Sequence, residues 1–399
     1  MGGLAKGLSA SGFNHSKFVE LNKHACSTLR MNFNKDLVFE GNVQDFKLNE
    51  IRNIDLVAGG PPCQPFSLGG KHKAYDDNRD MFPYAINVIE KLQPKAFIFE
   101  NVKGLLRGSF SKYFEYIILR LSFPDLAKKA DQTWLEHLDA LKKAISCGLH
   151  YDVSYKLINS ANYGIPQTRE RVFIVGIRSD LNKVWTFPDE THSKELLVAS
   201  QADGMYWNRH NTKADLNYMK RLRCQSEPKQ QSLFSSSLKA WQTVRDAVSH
   251  LPDPLCEHDI DDHIYKGGAR SYPGHTGSYH DLPAKTLKAG VHGVPGGENM
   301  VRYADGQIRY FTVHEAKLLQ TFPSNFKVSG AWGEAMRQIG NAVPVDLASI
   351  IGKHLQNILC DYGIDRYRTF SDIPVSSNSL FTTAEVELDE MSSPYKSTS

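Results

Sequence analysis

The 399-residue sequence lacks several features that assign a chain to a common protein class. Its six cysteines form no C-x-x-C pair, so neither a zinc cluster nor a disulfide framework is indicated, and we expect no metal. There is no signal peptide and no apolar run of about 18 residues, so we expect no membrane association and a cytoplasmic location. The net charge is only +3, and nucleic-acid binding would therefore depend on local basic patches.

The most informative segment that is present has the sequence GGPPCQPFS, over Gly59–Ser67. The preceding residues Ile54–Ala58 predict a short buried strand, which the two glycines end. Pro61 and Pro62 stiffen the turn, so Cys63 should project from a rigid loop at the carboxyl end of this strand. Ligands bind at that edge in open α/β sheets. Taken alone, Cys63 could also be a small core residue, because nothing local lowers the pKa of its thiol.

A carboxylate follows one βαβ unit later. An apolar stripe in Met81–Leu92 predicts a helix, and Ala96–Phe99 predicts a second buried strand, which leads into Glu100. Short apolar strands separated by a helix predict a parallel pair, so Cys63 and Glu100 should share one sheet edge. An acid beside a nucleophilic thiol suits the addition of sulfur to an electron-poor ring, because the acid can protonate a ring nitrogen. Without Cys63, a solvated carboxylate would be the better interpretation of Glu100.

A third segment contains two arginines in alternate positions. Val172–Ile177 predicts an apolar strand, and the polar loop ahead of it carries Gln167, Arg169 and Arg171. Alternate residues entering a strand point to the same side, so the two guanidinium groups could hold a phosphate or a carbonyl oxygen. An isolated R-x-R is more often a pair of solvated surface arginines.

Together these segments resemble the cytosine-C5 DNA methyltransferase family, as found in type II restriction-modification systems. The likeness covers residues 1–182 and 280–360, with the motifs in the family's order. The similar motifs are the nucleophile motif GGPPCQPFS, the acid motif Glu100-Asn101-Val102, the arginine motif Gln167-x-Arg169-x-Arg171, the closing motif Gly340-Asn341-Ala342-Val343-Pro344 and the segment Phe311–Phe326 ahead of it. Within that last segment, Thr312-x-x-Glu315 is a capping box that predicts the start of a helix.

The resemblance implies an α/β fold. Its core would be a Rossmann-like S-adenosylmethionine-dependent methyltransferase domain, with a mostly parallel, doubly wound sheet and a second, smaller target-recognition domain. The implied divisions are a catalytic and cofactor-binding domain over 1–182, a target-recognition domain with DNA-contacting loops over 183–310, and a return to the catalytic domain over 311–362. The composition of residues 371–399 predicts a disordered tail.

The resemblance also implies a reaction, the methylation of C5 of a specific cytosine in duplex DNA with S-adenosylmethionine as cofactor. Cys63 would attack C6 of a cytosine flipped out of the duplex. Glu100 would contact N3 and the exocyclic amine, Arg171 would hold O2, and Arg169 would support the same site. The implied cofactor contacts are Gly2, Gly3, Leu4, Glu20, Asn42, Pro61 and Asn341. The implied DNA contacts are Gln64, Ser67, Gln167, Arg270 and Thr286.

The cofactor region departs from the family pattern. The chain begins Met1-Gly2-Gly3-Leu4, and the family's first strand and the first glycine of its cofactor turn are absent. In the family that strand lies between the strands predicted here at Lys17–Glu20 and Ile54–Ala58. We expect the natural protein to have roughly 10–20 more residues upstream, or to receive the strand from another polypeptide, because unpaired apolar strand edges are unstable. Asn42 stands where the family commonly has Asp.

The recognition region contains a basic stretch. From Arg209 to Arg245 there are eight Lys or Arg residues and two acids, with Tyr218 and Trp241 among them. A solvated loop face and a DNA contact are about equally compatible with this composition, and the position within the family pattern favours DNA. The recognised bases cannot be inferred from these residues, because groove readout depends on geometry.

The resemblance suggests partners as well. We expect the protein to bind duplex DNA as a monomer and to be functionally linked to a cognate restriction endonuclease. Two alternatives stay open: a transfer-RNA cytosine-C5 methyltransferase, and an inactive DNA-binding remnant that lacks the N-terminal strand.

Overall fold

The computed structural model describes residues 1–62, 80–144, 148–214, 237–273, 275–289 and 299–360. Cys63, Gln64, Ser67 and the predicted tail 371–399 lie outside these residues. The strands are β1 (Phe18–Glu20), β2 (Val38–Glu40), β3 (Leu56–Gly59), β4 (Ala96–Val102), β5 (Tyr151–Asn159), β6 (Glu170–Arg178), β7 (His192–Ser193), β8 (Lys239–Ala240), β9 (Ser278–Tyr279), β10 (Met300–Arg302) and β11 (Ile308–Tyr310). The helices are α1 (Gly3–Ala10), α2 (Lys23–Asn32), α3 (Phe82–Leu92), α4 (Ser111–Ser122), α5 (Trp134–Lys142), α6 (Lys194–Ala202), α7 (Met205–Arg209), α8 (Val244–Val248), α9 (Val313–Leu319), α10 (Trp332–Gly340) and α11 (Val345–Cys360).

A four-stranded sheet in the order β3-β4-β6-β5 forms the centre of the fold. β3 and β4 are parallel, as predicted for two apolar strands joined by a helix. β6 runs antiparallel to both β4 and β5, a reversal that the sequence does not indicate. Because β6 is reversed, its first residues lie at the same edge as the last residues of β4.

Helices cover both faces of this sheet. In β4, Phe97 and Phe99 pack with side chains of α3, α4 and α5, while Ala96 and Ile98 pack with α1 and α11. All four side chains are at most 3% exposed, and the alternation follows from the two-residue period of a strand. A sheet buried between two helical layers is an α/β architecture, and the predicted fold class is confirmed.

The final helix packs tightly against the first. A Cβ atom at Gly7 of α1 would lie 2.4 Å from the carbonyl oxygen of Val345 and 2.5 Å from the Cβ of Ala348, so only glycine allows this approach. Residues after 311 therefore return to the N-terminal part of the chain, as the motif order implied. α9 also begins as predicted, with a capping box formed by Thr312 and Glu315.

The cofactor half of the predicted sheet forms a separate, two-stranded sheet. β1 pairs in parallel with β2, and among the described residues it has no hydrogen bonds to β3, which pairs only with β4. The strand that the resemblance places between β1 and β3 would join the two sheets. Its presence stays a prediction.

Short elements make up the region between β6 and β10. Arg245 pairs with Asp281 at 2.6 Å, and Arg209 pairs with Asp246 at 2.7 Å, so two arginines of the predicted basic stretch have carboxylate partners. Residues 215–236 of that stretch lie outside the described part of the chain.

The structure groups Met1–Cys360 as one compact unit, and the domain boundaries stay predictions. No helix in the described ranges is long and apolar enough to cross a membrane.

Candidate active site

The ends of β3 and β4 lie side by side. Gly59 is the register partner of Phe99, and Asn101 donates its Nδ2–H to the carbonyl oxygen of Pro61 at 3.0 Å. A Cβ atom added at Gly60 would lie 3.4 Å from the backbone and carboxylate oxygens of Glu100. The loop after β3 is therefore held against the acid motif.

The residues on either side of the segment that contains Cys63 are hydrogen-bonded to each other, next to the ends of β3 and β4. The backbone N–H of Met81 donates to the carbonyl oxygen of Pro62 at 3.0 Å, so the chain leaves and returns at one point. Just before Met81, the buried Asp80 accepts hydrogen bonds from the N–H of Phe82 and the hydroxyl of Tyr113. Cys63 follows Pro62 directly in the sequence and lies outside the described residues, as do Gln64 and Ser67.

The structure brings Glu100, Arg169 and Arg171 together. Val102 at the end of β4 is the register partner of Arg171 in β6, so Glu100, two residues earlier, lies on the same face as Arg171. The Nε of Arg171 is 3.0 Å from Oε1 of Glu100, and the Nη2 of Arg169 is 3.8 Å from the same oxygen. Their side chains are 12%, 18% and 2% exposed for Glu100, Arg171 and Arg169. The three residues form one nearly buried charged group.

Arg169 is the most enclosed member of this group. Its Nη1–H donates to the carbonyl oxygen of Gly340 at 2.9 Å. Burial, and then repulsion from Arg171, lower the pKa of the Arg169 guanidinium, while attraction to Glu100 raises it. A buried cation is costly unless it is paired, so Arg169 depends on Glu100 and on the Gly340 carbonyl.

Two buried polar atoms of the group have no hydrogen-bond partner among the described residues. They are Oε1 of Glu100, whose contact with Arg171 lacks hydrogen-bond geometry, and Nε of Arg169. Buried polar atoms are rarely left without a partner in a folded protein.

Gln167 and Thr286, predicted to contact DNA, both bond to the protein backbone. Gln167 is 0% exposed, its Nε2–H donates to the carbonyl of Leu319 at 3.3 Å, and its Oε1 accepts from the N–H of Leu287 at 3.1 Å. The hydroxyl of Thr286 donates to the carbonyl of Thr168 at 2.8 Å. A DNA contact by Gln167 would require these bonds to break. Arg270, the third described candidate, is exposed.

The predicted cofactor residues lie around the ends of β1, β2 and β3 and the start of α1. Glu20 ends β1 and accepts from the N–H of Asn22 at 2.9 Å, and the N–H of Gly41 donates to the Glu20 carbonyl at 3.0 Å. The side-chain oxygen of Asn42, expected at the adenine, accepts from the N–H of Gln44 at 3.1 Å.

The remaining cofactor residues are glycines and their neighbours. Gly2 has φ of +93°, and a Cβ at Gly3 would lie 2.2 Å from the carbonyl oxygen of Val343. The start of α1 therefore lies against the closing motif, in which Asn341 is exposed. Leu4 and Pro61 are half-buried.

The sequence places Asn101 and Gly340 in motifs but does not indicate the contacts by which they, with Asp80, hold this site together. Asn101 and Asp80 anchor the loop boundaries, and the Gly340 carbonyl pairs with Arg169. Gly340 is the last residue of α10, and nothing in its local sequence indicates a close contact. Its close contact is visible only in three dimensions: a Cβ there would lie 2.7 Å from the backbone nitrogen of Ala289.

The match to known proteins agrees with this geometry. The family model for C-5 cytosine-specific DNA methylase matches residues 1–125 and 124–357. The chain belongs to this family. The confirmed enzyme class is DNA (cytosine-5-)-methyltransferase.

Individual relatives and solved structures show the extent of the likeness. The chain is 31% identical to the type II methyltransferase M.Sau96I of Staphylococcus aureus, over 90% of this chain and 74% of that protein. It is also 31% identical to M.PspPI of Psychrobacter sp., over 90% of this chain and 77% of the relative. The crystal structure of S. pombe Dnmt2 methyltransferase superposes with a TM-score of 0.54 at 16% identity, covering 90% and 96% of the two chains, which shows the fold.

Proposed function

We propose that this methyltransferase transfers a methyl group from S-adenosylmethionine to C5 of a flipped cytosine in duplex DNA, through a covalent bond to Cys63. The observation that supports this most is the buried group of Glu100, Arg169 and Arg171, next to the anchored loop that leads into Cys63. The group combines a carboxylate, which can accept from an amine, with guanidinium groups, which can donate to a carbonyl, as recognition of a cytosine edge requires.

The proposed reaction begins with attack of the Cys63 thiolate on C6. A sulfur–carbon bond forms, N3 takes a proton from Glu100 or a hydrogen bond to it, and the ring becomes an enamine with a nucleophilic C5. Arg171 donates to O2, where negative charge develops, and Arg169 fixes Glu100 from the buried side. C5 then forms a bond to the methyl carbon as that carbon's bond to the sulfonium sulfur breaks, and S-adenosylhomocysteine would be the leaving group. Loss of the C5 proton to solvent, return of the N3 proton to Glu100 and departure of the Cys63 sulfur restore the aromatic ring and the thiolate.

The described residues fit a nucleoside cofactor. Glu20 is a half-buried carboxylate at the end of a parallel strand, where ribose hydroxyls bind in nucleotide folds. Gly2 and Gly3 keep side chains away from the start of α1. S-adenosylmethionine would supply an electrophilic methyl group on a sulfonium sulfur. The described chain would contribute binding and orientation.

We also propose a biological setting. The relatives in the preceding section carry the name type II methyltransferase, which supports a role in protecting host DNA beside a cognate restriction endonuclease. A monomer is the proposed active form.

The test is transfer of labelled methyl from S-adenosylmethionine to unmethylated duplex DNA, with transfer RNA as the competing acceptor. We expect labelled DNA and no labelled RNA. Duplex DNA containing 5-fluorocytosine should form a stable adduct with the enzyme, because the fluorine blocks proton loss from C5. Labelled RNA alone would identify a transfer-RNA enzyme, and DNA binding without methyl transfer would identify an inactive remnant.

The covalent step has a control within the chain. Cys63→Ser should abolish both methyl transfer and adduct formation. Cys26 is fully buried, and burial, with the nearby Glu20 and Glu40, raises the pKa of its thiol to about 11, so it stays protonated at pH 8. Peptide mapping should therefore find the adduct at Cys63 and none at Cys26. An adduct that survives in Cys63→Ser would contradict the proposal.

A further inference from the structure

Residues 284–289, within the predicted recognition domain, are tied to the arginine motif by backbone hydrogen bonds. The N–H of Ala284 donates to the carbonyl of Pro166 at 2.9 Å, and the N–H of Thr168 donates to the carbonyl of Ala284 at 2.8 Å. The hydroxyl of Thr286 adds a bond to the Thr168 carbonyl at 2.8 Å. We call residues 284–289 the junction segment. It pairs with the chain immediately before Arg169.

Gln167 lies inside this junction and satisfies both ends of its amide there. Its Oε1 accepts from the N–H of Leu287 in the junction segment, and its Nε2–H donates to the carbonyl of Leu319, the last residue of α9. The side chain is 0% exposed. Removal of the amide would leave a buried N–H without a partner, which costs about 1–3 kcal/mol.

A second contact joins the junction segment to Arg169. Gly340 accepts from the Arg169 guanidinium at 2.9 Å, and its Cα approaches the backbone of Lys288 and Ala289 so closely that a Cβ there would lie 2.7 Å away. Displacement of the junction segment would therefore disturb Arg169 from two sides, through Gln167 and through Gly340. Arg169 in turn pairs with Glu100.

We propose that Gln167 is a positioning residue. It holds the junction segment of the recognition region against the arginine motif and so fixes the positions of Arg169 and Arg171. This inference rests on the proposed function, since it assigns the arginines to the cytosine pocket. Its role differs from the DNA contact that the sequence suggested, because the amide is buried and bonded to protein at both ends. The junction segment holds Arg169 and Arg171 in position only when the side-chain amide of Gln167 bonds to it.

The test compares Gln167→Met with Gln201→Met. Gln201 is 1% exposed and donates to the Asp281 carbonyl at 2.8 Å, within the recognition region, so both variants remove a buried amide of the same size. We expect Gln167→Met to lower the single-turnover methyl-transfer rate at least tenfold, about 1.4 kcal/mol, with DNA affinity changed less than threefold. Gln201→Met should lower thermal stability similarly and leave that rate within threefold.

A loss of DNA affinity with a shallower salt dependence in Gln167→Met would show a DNA contact and overturn the inference. Equal rate losses in both variants would show a general structural effect and also overturn it. If Gln167→Met does not fold, Thr286→Val removes a neighbouring junction bond with a smaller change. It should lower the rate in the same direction, and an unchanged rate would contradict the proposal.

Hydrogen exchange separates this inference from the proposed function. In either junction variant, the backbone amides of residues 284–289 and of 169–171 should exchange faster together, whether or not the protein methylates DNA. Exchange that rises in only one of these segments would overturn the link. An inactive wild-type protein with linked exchange would overturn the proposed function alone.

Discussion

The two sheets of the catalytic region differ in how far the protein itself orders their functional residues. β4 has seven residues and β6 nine, and eleven of these sixteen are buried, whereas β1 and β2 have three each, of which one is buried. Glu100 has two guanidinium groups within 4 Å, while the Glu20 carboxylate accepts from the single N–H of Asn22 in the described structure. We call Glu100, Arg169 and Arg171 the base group, because we propose that they hold the cytosine base, and their mutual contacts preorganise it. The proposed cofactor residue Glu20 has fewer such contacts.

This difference predicts different kinetic defects on the two sides. Changes in the base group should lower the rate of the chemical step, because preorganised charges stabilise the transition state. Changes on the β1–β2 sheet should weaken cofactor binding.

Glu100→Gln should produce the largest effect. It keeps the size of the side chain and removes the acid, so we expect the single-turnover rate to fall about 10²–10⁴-fold, with S-adenosylmethionine affinity unchanged. Glu195→Gln is the matched control, because Glu195 is an exposed carboxylate in the first turn of α6 and should leave the rate unchanged. A similar rate for both variants would remove Glu100 from the reaction.

The base group shows what the sequence could predict. Ala96–Phe99 and Val172–Ile177 are continuous apolar runs, typical of strands buried on both faces, and both are found. The observed strands extend further, because β4 and β6 pair as far as Val102 and Arg171. The convergence of Glu100 with the arginines follows from the motif order together with this pairing.

Gln167 shows what the sequence could not predict. A glutamine in a polar loop before a strand suggests an exposed side chain, yet it is fully buried. Its partner Leu287 is 120 residues away along the chain, so no local pattern reports the contact. The same holds for Arg169 and Gly340, which are 171 residues apart.

The two arginines provide the next largest contrast. Arg169→Met should lower the free energy of unfolding by about 3 kcal/mol, because it removes a buried cation from Glu100 and leaves the Gly340 carbonyl unpaired. Arg171→Met should destabilise the protein less, because its side chain is 18% exposed and Glu100 keeps Arg169 as a partner, but it should slow methyl transfer more than tenfold. Urea unfolding measures the loss of stability, and single-turnover kinetics measure the rate of methyl transfer. Equal destabilisation by the two variants would contradict the prediction that Arg169 mainly stabilises the fold and Arg171 mainly acts in catalysis.

On the cofactor side, Glu20→Gln should raise the dissociation constant for S-adenosylmethionine about tenfold, the loss of roughly one charge-assisted hydrogen bond. The rate at saturating cofactor should stay within threefold, because Glu20 is not in the base group. Titration calorimetry and saturation kinetics separate the two quantities. A reduced rate at saturating cofactor with unchanged affinity would place Glu20 on the base side and contradict the comparison.

The smallest effect is expected at Arg270, which belongs to neither sheet. It lies in an exposed stretch of the recognition region with Lys266, Tyr265 and Tyr272. Arg270→Ala should weaken duplex DNA binding a few-fold and reduce the slope of log K against log salt by about one, as expected when one phosphate contact is lost. Lys91→Ala, an exposed cation at the end of α3, is the control and should leave that slope unchanged. Because Arg270 lies in neither of the two sheets, its substitution should affect only DNA binding, and the single-turnover rate at saturating DNA should stay unchanged. A lower rate at saturating DNA would mean that the stretch around Arg270 also affects the positions of Glu100, Arg169 and Arg171. The junction segment bonded to Gln167 would provide the connection.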